Sequence, residues 1–487
     1  MKSTPSKTIT FPTPDKVLTE KKSVKKYIKY LAFFGPGAVA ASVTIGQGQL
    51  IIGPQIGAWA GFGLLWLITL NIGSYIIAYY SCRFTLLSGI GVMDLFSIKT
   101  KKGWLNWLFL LIMMIFIPMF TATIITTLGQ TLQWIFGVGH YLIWGVGFCL
   151  LAALLALAGR YRFLEHIQAF FVAVLAIGAV VAVITIKPDV FELLPNFFTI
   201  GQHVPVDYPA WVYANPNYES VTTTPIPLVM LGYLGTLAIS LVTLIGYQGW
   251  IKVKKWGIFK DKDNPDRFSS ECFNEFKTKG TITYLPEDTK EIQKSRLLLK
   301  PLLIDLSLAF IIVSIVSAAY MIAGSILMGG NKVLPSDAKL IEEQLVIFTY
   351  LADWLKPLFQ VSVVFALFGT VYAGFEAATR MIYETSKNMT KKINTLEYKR
   401  FMLYLLIYIL SIGLPLSVLM SMGLPVLLIL SITLLFVGVI GVMMYGIGIL
   451  YLSQVVLPDK YKIGLIGVIV AIIAIVFMGI PMLFLVL

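Results

Sequence analysis

The sequence predicts an all-α, polytopic membrane protein with about eleven transmembrane helices. Of its 487 residues, 57% are hydrophobic and 13% are charged, whereas a soluble domain carries about 25% charged residues. The mean hydropathy of +0.83 agrees, because a soluble core cannot bury that much apolar surface and a lipid bilayer must solvate the rest. We therefore expect a single transmembrane domain over residues 31–487, preceded by a polar tail over residues 1–30.

Eleven apolar segments are long enough to cross the hydrocarbon core, which takes about 20 helical residues. We number them span 1 to span 11, and their predicted positions are 31–54, 61–84, 104–127, 141–159, 164–187, 226–250, 301–328, 357–383, 401–420, 424–452 and 463–486. An odd number of spans places the two termini on opposite sides of the membrane.

The distribution of Lys and Arg between the spans predicts the orientation, because cytoplasmic connections carry an excess of both. Basic residues are dense before span 1 and after spans 2, 4, 6 and 8, whereas the 188–224 connection contains none. We expect a cytoplasmic N-terminus, a cytoplasmic insertion at 251–300, an extracellular loop at 188–224 and an extracellular C-terminus. The net charge of +13 follows from this pattern and does not indicate a nucleic-acid partner.

We expect neither an enzyme nor a resident cofactor, because the sequence shows no paired His/Asp constellation and no activated nucleophile at membrane depth. Cys82, Cys149 and Cys272 are scattered without CxxC spacing, so neither a disulfide framework nor a zinc site is expected. No P-loop signature is present, which makes a built-in ATP motor unexpected. The first 30 residues are polar and lack the apolar region of a signal peptide.

Span 1 contains the glycine-rich stretch Gly46-Gln47-Gly48-Gln49 near its middle. Glycine costs about 1 kcal/mol relative to alanine inside a helix, so two glycines around an amide predict an unwound stretch. Freed backbone groups at that depth are tolerated where they line a cavity or meet protein. Small-residue packing between helices is the alternative interpretation, but Gln47 and Gln49 add polar groups that such packing does not need.

Span 6 is also predicted to be interrupted. It contains Gly232, Gly235 and the glycine-containing run 246–249, with hydroxyl residues between them. Interrupted segments in corresponding halves of a sequence indicate the binding site of a secondary transporter. Spans 1 and 6 lie five apart, as a five-plus-five repeat requires. Together they predict one substrate site between the two spans.

The chain resembles the natural resistance-associated macrophage protein (Nramp) transporters over most of its length. The shared features are Gly-Pro-Gly at 35–37, a glycine-rich stretch eleven residues further on, eleven spans, Glu165, Asp305, and Ala-Gly at 373–374. The resemblance implies the leucine-transporter fold, with a five-plus-five inverted repeat and one extra helix. It also implies transport of divalent metals, usually with protons.

The resemblance is to an outlying branch of the family, which includes magnesium-transporting relatives. Where the family has Asp-Pro-Gly-Asn in span 1, this chain has residues 46–49, and Met-Pro-His in span 6 is replaced by residues 241–243. The family pattern implies metal contacts from the carbonyl of Gly46, from Gln49 and from the carbonyl of Ala238. Leu241 occupies a further contact position, and Thr243 lies nearby.

The predicted site offers oxygen donors, and this chemistry narrows the cargo. Oxygen ligands suit magnesium, calcium and manganese, whereas a methionine sulfur favours softer metals. Mg²⁺ dehydrates reluctantly and usually keeps several waters. We therefore expect alternating-access transport of a partly hydrated divalent cation across the lipid bilayer, with Mg²⁺ or Mn²⁺ favoured over Fe²⁺.

Among the ionisable side chains within the spans or at their ends, four are candidates for function, because an ionisable group inside a membrane is a functional hypothesis by default. Glu376 and Arg380 in span 8 are spaced i, i+4 and can pair on one helix face; a structural ion pair and a role in cation attraction or coupling both stay open. Asp305 at the start of span 7 can attract cations or simply meet Lys300. Glu165 at the start of span 5 can act in gating or stabilise the helix dipole.

Two other functions stay open from the sequence. The Gly46-x-Gly48 pattern also resembles the glycine-rich break in amino-acid permeases, which favours an amino acid or another small organic solute as cargo. A membrane sensor that binds a cytoplasmic partner through residues 251–300 is the second alternative. A zwitterion would suit the site as well as a cation, because helix N-termini favour carboxylates.

Overall fold

The computed structural model describes residues 8–158, 161–336, 339–390, 393 and 395–486, apart from the side chains of residues 46, 47 and 161–168. Within these ranges nine helices are long and apolar enough to cross a membrane, or ten when one bent pair counts as a span. Span 1, which is divided into two shorter helices, brings the number to eleven. The predicted all-α polytopic fold class is confirmed.

Most predicted spans match a helix within a few residues. The helical segments of spans 1 to 11 are, in chain order, Pro36–Thr44 with Leu50–Ala60, Trp66–Leu70 with Ile72–Ser88, Trp104–Phe136, Tyr141–Ala158, Tyr161–Ile186, Ile226–Leu237 with Leu241–Val253, Lys300–Ala323, Leu355–Ser386, Tyr398–Ser421, Val426–Leu434 with Gly441–Val455, and Leu465–Gly479. Span 3 runs to Phe136 rather than to 127, because the glycine that ends it is Gly137, with a left-handed φ of 69°.

Span 1 is not unwound at Gly46–Gly48, contrary to the prediction. Residues Ile45–Gln49 form one π-helical turn that joins its two helices. A π turn accommodates an extra residue through i→i+5 bonding while the chain stays helical, so it frees fewer backbone groups than a break. Gly48 is required for close approach instead: a Cβ there would lie 2.2 Å from the Cβ of Thr236 in span 6.

The spans form two groups that pack separately. Spans 3, 4, 8 and 9 pack against one another, and spans 1, 2, 6 and 7 form the second group. Span 5 packs on spans 7 and 8, span 10 lies against spans 3 and 6, and span 11 covers spans 2 and 10. The candidate site lies where the two groups meet.

The 251–300 segment is folded onto the membrane bundle and is not a loose, fully solvated loop. It contains the helices Pro265–Lys279 and Thr289–Leu298. The first of these buries Phe273 and Phe276 on one face. The Tyr284 hydroxyl donates to the carbonyl of Ser88 at the end of span 2 (2.6 Å). The charged surface of this segment therefore covers an apolar underside.

Candidate functional site

Span 6 is broken in the middle, and the break places backbone groups inside the bundle. Its first helix ends at Leu237, and Ala238 is extended with φ −69° and ψ 147°. The second helix begins after Ser240, whose side chain accepts a hydrogen bond from the Thr243 amide (3.4 Å). Carbonyls in the last turn of a helix have no next-turn amide to bond. The break therefore offers carbonyl oxygens at one end and a capped helix N-terminus at the other.

A cavity of about 60 Å³ lies at this break, and we call it the break cavity. Its polar lining comes from Thr44 of span 1 and from span 6. The complete lining is Val43, Thr44, Gly48, Phe120, Gly235, Thr236, Ala238, Ser240, Thr243, Leu430 and Leu434. Thr243 is buried, and its hydroxyl lies 3.1 Å from that of Ser240. Two residues with neighbouring hydroxyls therefore border the same cavity as Ala238 at the break.

A larger cavity of about 120 Å³ adjoins the break cavity, and we call it the central cavity. Ser240 and Thr243 border both. Apolar side chains of spans 1, 3, 6, 8 and 10 form most of its wall, and its further polar residues are Thr121, Thr370, Glu376, Arg380 and Thr433. The Thr433 hydroxyl is buried and has no hydrogen-bond partner within the described part of the chain.

The predicted residues of span 1 divide between cavity and helix interface. Gly48 borders the break cavity. Gln49 is fully buried but lines neither cavity, because its amide nitrogen donates to Thr236 (3.4 Å) and its amide oxygen accepts from Tyr233 (3.3 Å). The Gly46 and Gln47 side-chain positions lie outside the described residues. Span 1 thus supports the cavity through Gln49 rather than lining it with that amide.

The predicted residues of span 6 also divide. Ala238 and Thr243 border the break cavity. Leu241 is fully buried and lines neither cavity, and its side chain instead lies against Gly441 of span 10. The family-based position of Leu241 therefore falls on a helix contact here, and the adjacent Ser240 takes the place on the cavity wall.

Glu376 and Arg380 form an ion pair at the edge of the central cavity. The Arg380 guanidinium lies 3.7 Å from Glu376 Oε1, and both side chains are about one-third exposed at 36% and 30%. A Cβ at Gly249 would lie 2.9 Å from the guanidinium, so the arginine reaches from span 8 to the surface of span 6. This pair links the two groups of spans.

A third cavity, of about 210 Å³, lies beyond this pair, on the side of the bundle that carries the 251–300 segment, and we call it the vestibule. Arg380 borders both the central cavity and the vestibule. Asp94, Lys252, Asp266 and Glu384 add charges to the vestibule wall. Sequence reasoning missed this cavity, because its charged residues come from four separate parts of the chain.

Asp305 is an anchor for span 1 and does not line the cavities. Its carboxylate is fully buried and accepts hydrogen bonds from the amides of Gly35 (2.8 Å) and Gly37 (2.6 Å). The Tyr247 hydroxyl also donates to it. The predicted contact with Lys300 is not among the ion pairs of the described residues, because the carboxylate faces the start of span 1 instead. The side chain of Glu165 lies outside the described residues.

Oxygen donors from the backbone and hydroxyl groups set the chemistry of the site. In the part of the chain that the structure describes, no three His, Cys, Asp or Glu side chains cluster as they would around a metal ion. The linings of the break cavity and central cavity include neither Met, Cys nor His. Such a site suits weakly held, hard cations or polar solutes.

A membrane bundle whose sixth span is broken beside a cavity, next to a π-helical turn in its first span, is typical of a secondary transporter. Residues 32–487 match the family described as natural resistance-associated macrophage protein-like, and the chain belongs to that family. Membership confirms the relationship that the sequence predicted, and it identifies a membrane transporter rather than an enzyme.

Two solved structures share the fold. The manganese transporter of Eremococcus coleocola, in complex with an aromatic bis-isothiourea substituted compound, is 15% identical with a TM-score of 0.63, over 94% of this chain and 87% of that chain. Mhp1, a nucleobase-cation-symport-1 family transporter, is 12% identical with a TM-score of 0.51, over 98% and 93%. The comparison with curated proteins finds no match. These similarities confirm the leucine-transporter fold.

Proposed function

We propose that this transporter carries a divalent cation across the cell membrane by alternating access, with Mg²⁺ or Mn²⁺ favoured over Fe²⁺. The observation that supports this most directly is the break cavity, where Ala238, Ser240 and Thr243 present oxygen donors. Such donors suit magnesium and manganese, whereas softer metals prefer sulfur or imidazole. Family membership and the manganese transporter with the same fold support a divalent cargo.

The size of the break cavity favours a cation that keeps some of its water. A water molecule needs about 10–15 Å³ of such space, and the break cavity provides about 60 Å³. Mg²⁺ usually keeps several waters when it binds protein. We infer that hydroxyls of Ser240 and Thr243 contact the water shell, and that the carbonyl of Ala238 contacts the ion or its water. Gln49 is a positioning residue, because it holds Thr236 at the cavity wall.

The Glu376–Arg380 pair marks the proposed ion pathway toward the cytoplasm. Arg380 stands between the central cavity and the vestibule, so a cation that leaves by this route passes its charge. Glu376 offsets that charge at 3.7 Å. We propose a cytoplasmic N-terminus and an extracellular C-terminus, which the basic residues before span 1 and after spans 2, 4, 6 and 8 support.

A small organic solute is the second candidate cargo, and one observation favours it. The central cavity is lined mostly by apolar side chains such as Phe116, Phe120 and Val437. Apolar walls with a few convergent polar groups are typical of sites for organic ligands. A solute with a carboxylate would also be favoured by the helix N-terminus at Ser240.

Uptake into proteoliposomes tests the proposal. Purified protein is reconstituted around a metal-sensitive dye, and Mg²⁺, Mn²⁺, Fe²⁺ and labelled amino acids are supplied in turn. We expect the dye to respond to Mg²⁺ or Mn²⁺ and to respond less to Fe²⁺, with empty liposomes as the control. Accumulation of a labelled amino acid without any response to the three metals would overturn the divalent-cation proposal and favour the organic solute.

A further inference from the structure

A short helix before span 1 exposes an apolar stripe that no part of the described chain covers. The helix Val24–Tyr30 leads through the turn Leu31–Phe33 into span 1. Val24, Tyr27, Ile28 and Leu31 are 77%, 55%, 62% and 57% exposed. Their spacing of i, i+3, i+4 and i+7 places them on one face of a helix.

Lysines border this stripe. Residues 20–31 contain five lysines and one glutamate. Two of the lysines are used internally: the Lys26 ammonium donates to the carbonyl of Leu18 (3.3 Å), and Lys29 pairs with Glu20 (2.8 Å). The others, Lys21, Lys22 and Lys25, are exposed and form no ion pair within the described residues. The stripe is therefore flanked by positive charge that is available to a partner.

The end of span 6 places another exposed apolar side chain and two more lysines near the start of span 1. Val253 is 71% exposed, and the exposed Lys254 and Lys255 follow it. A Cβ at Gly35 would lie 3.2 Å from Cε of Lys254, so these residues adjoin the start of span 1. Two separate parts of the chain thus place exposed apolar side chains beside lysines at one level of the bundle. We call residues 20–33 and 253–255 together the basic apron.

We infer that the basic apron lies in the membrane interface and binds anionic lipid headgroups. A helix with an apolar face and flanking lysines is the form of an interfacial membrane helix. Juxtamembrane lysines are attracted to anionic lipids, and the aromatic rings of Tyr27, Tyr30 and Phe33, whose adjacent centroids lie 5.7 and 6.1 Å apart, suit the headgroup level. The apron continues directly into span 1, so the bilayer itself is within reach of its apolar face.

Lipid binding there would act on the transporter through span 1. Residue 33 of the apron is followed closely by Gly35 and Gly37, whose amides donate hydrogen bonds to Asp305 of span 7. A headgroup held by Lys21, Lys22 and Lys25 would therefore fix the start of a span that borders the break cavity.

A fluorescent probe at Val24 tests the placement of the apron. The native cysteines Cys82, Cys149 and Cys272 are buried, so a polarity-sensitive thiol probe will label Val24→Cys selectively in the full-length protein. The protein is placed in nanodiscs of phosphatidylcholine with or without phosphatidylglycerol, and quenching by brominated acyl chains is measured. Asn274→Cys, on the exposed face of the helix Pro265–Lys279, is the matched control.

We expect quenching at position 24 and none at position 274, and a severalfold increase in quenching at 24 when phosphatidylglycerol is present. Lys22→Gln combined with Lys25→Gln should abolish that increase, since each lysine near an anionic surface contributes about fivefold to binding. Lys277→Gln with Lys290→Gln removes the same charge elsewhere and should not. A probe at 24 that stays in water in both lipids overturns the inference. So does quenching that is equal with and without phosphatidylglycerol, because it shows insertion without headgroup recognition.

Discussion

At the scale of a single residue, substitution of Thr243 tests the proposed cation site. The residue borders both the break cavity and the central cavity, and a hydrogen bond to a neutral group such as a bound water contributes about 0.5–1.5 kcal/mol. Thr243→Val should therefore lower initial Mn²⁺ or Mg²⁺ uptake by roughly two- to tenfold with the fold intact. Thr379→Val is the matched control, since Thr379 is buried in span 8, bonds the carbonyl of Phe375 and lines neither cavity. Equal uptake by both variants would remove Thr243 from the site.

The charge pair in span 8 predicts opposite effects from its two members. Glu376→Gln leaves the Arg380 charge on the pathway without its carboxylate and should slow cation uptake by about tenfold, which corresponds to roughly 1.4 kcal/mol of added repulsion. Arg380→Gln removes the repulsive charge and should preserve or raise uptake. Initial rates at low and high salt provide the measurement, because screening reduces the Glu376→Gln effect. If both variants lose uptake equally and without salt dependence, the pair is structural.

At the scale of an element, the close approach of spans 1 and 6 depends on Gly48. A methyl group there would lie 2.2 Å from the Cβ of Thr236, and overpacking of this kind costs about 1–3 kcal/mol. We expect Gly48→Ala to lower the thermal unfolding temperature in detergent and to reduce uptake. Gly147→Ala in span 4 has open space and should not destabilise the protein. An unchanged melting temperature for Gly48→Ala would mean that the two spans are not packed this closely.

The position of the break in span 6 shows what the sequence could and could not predict at this scale. Its glycines at 232, 235, 246 and 249 drew attention to the correct span, yet the chain breaks at Ala238–Ser240. The glycines pack against neighbours instead: a Cβ at Gly235 would lie 2.4 Å from the carbonyl oxygen of Leu434. Hydrogen bonds to other spans stabilise the break. For example, the Ile239 amide donates to the Ser74 hydroxyl of span 2 (3.2 Å). That partner is distant in sequence, so no local pattern reveals it.

For the whole molecule, apolar length and basic connections were sufficient to predict the number of spans. The site was less predictable, because Thr121, Thr370 and Thr433 come together only when spans 3, 8 and 10 pack. Thr121 and Thr370 each bond a carbonyl of their own helix, as other threonines of spans 3 and 8 do, so the sequence alone does not distinguish them. For residues 251–300 the sequence predicted only a basic cytoplasmic insertion, whereas Phe273 and Phe276 form a buried face beneath its charged surface.

Thiol reactivity tests whether the 251–300 segment stays packed in solution. Burial raises the pKa of the Cys272 thiol to about 12, so the thiol remains protonated at pH 8 and the reactive thiolate is scarce. We expect a charged maleimide to leave the folded protein unmodified at pH 8, and to modify all three cysteines after denaturation. Rapid modification of Cys272 in the native protein, located by mass spectrometry, would show that the segment opens readily.

The carboxylate of Asp305 has a consequence for how the protein is made. It bonds the amides at the start of span 1 from 270 residues further along the chain. Ribosomes add roughly 5–20 residues per second, so span 1 enters the membrane more than about ten seconds before this acceptor exists. Span 1 must be inserted with those amides satisfied by water or lipid. The first turn of span 1 therefore reaches its final packing late in assembly, after span 7 has been inserted.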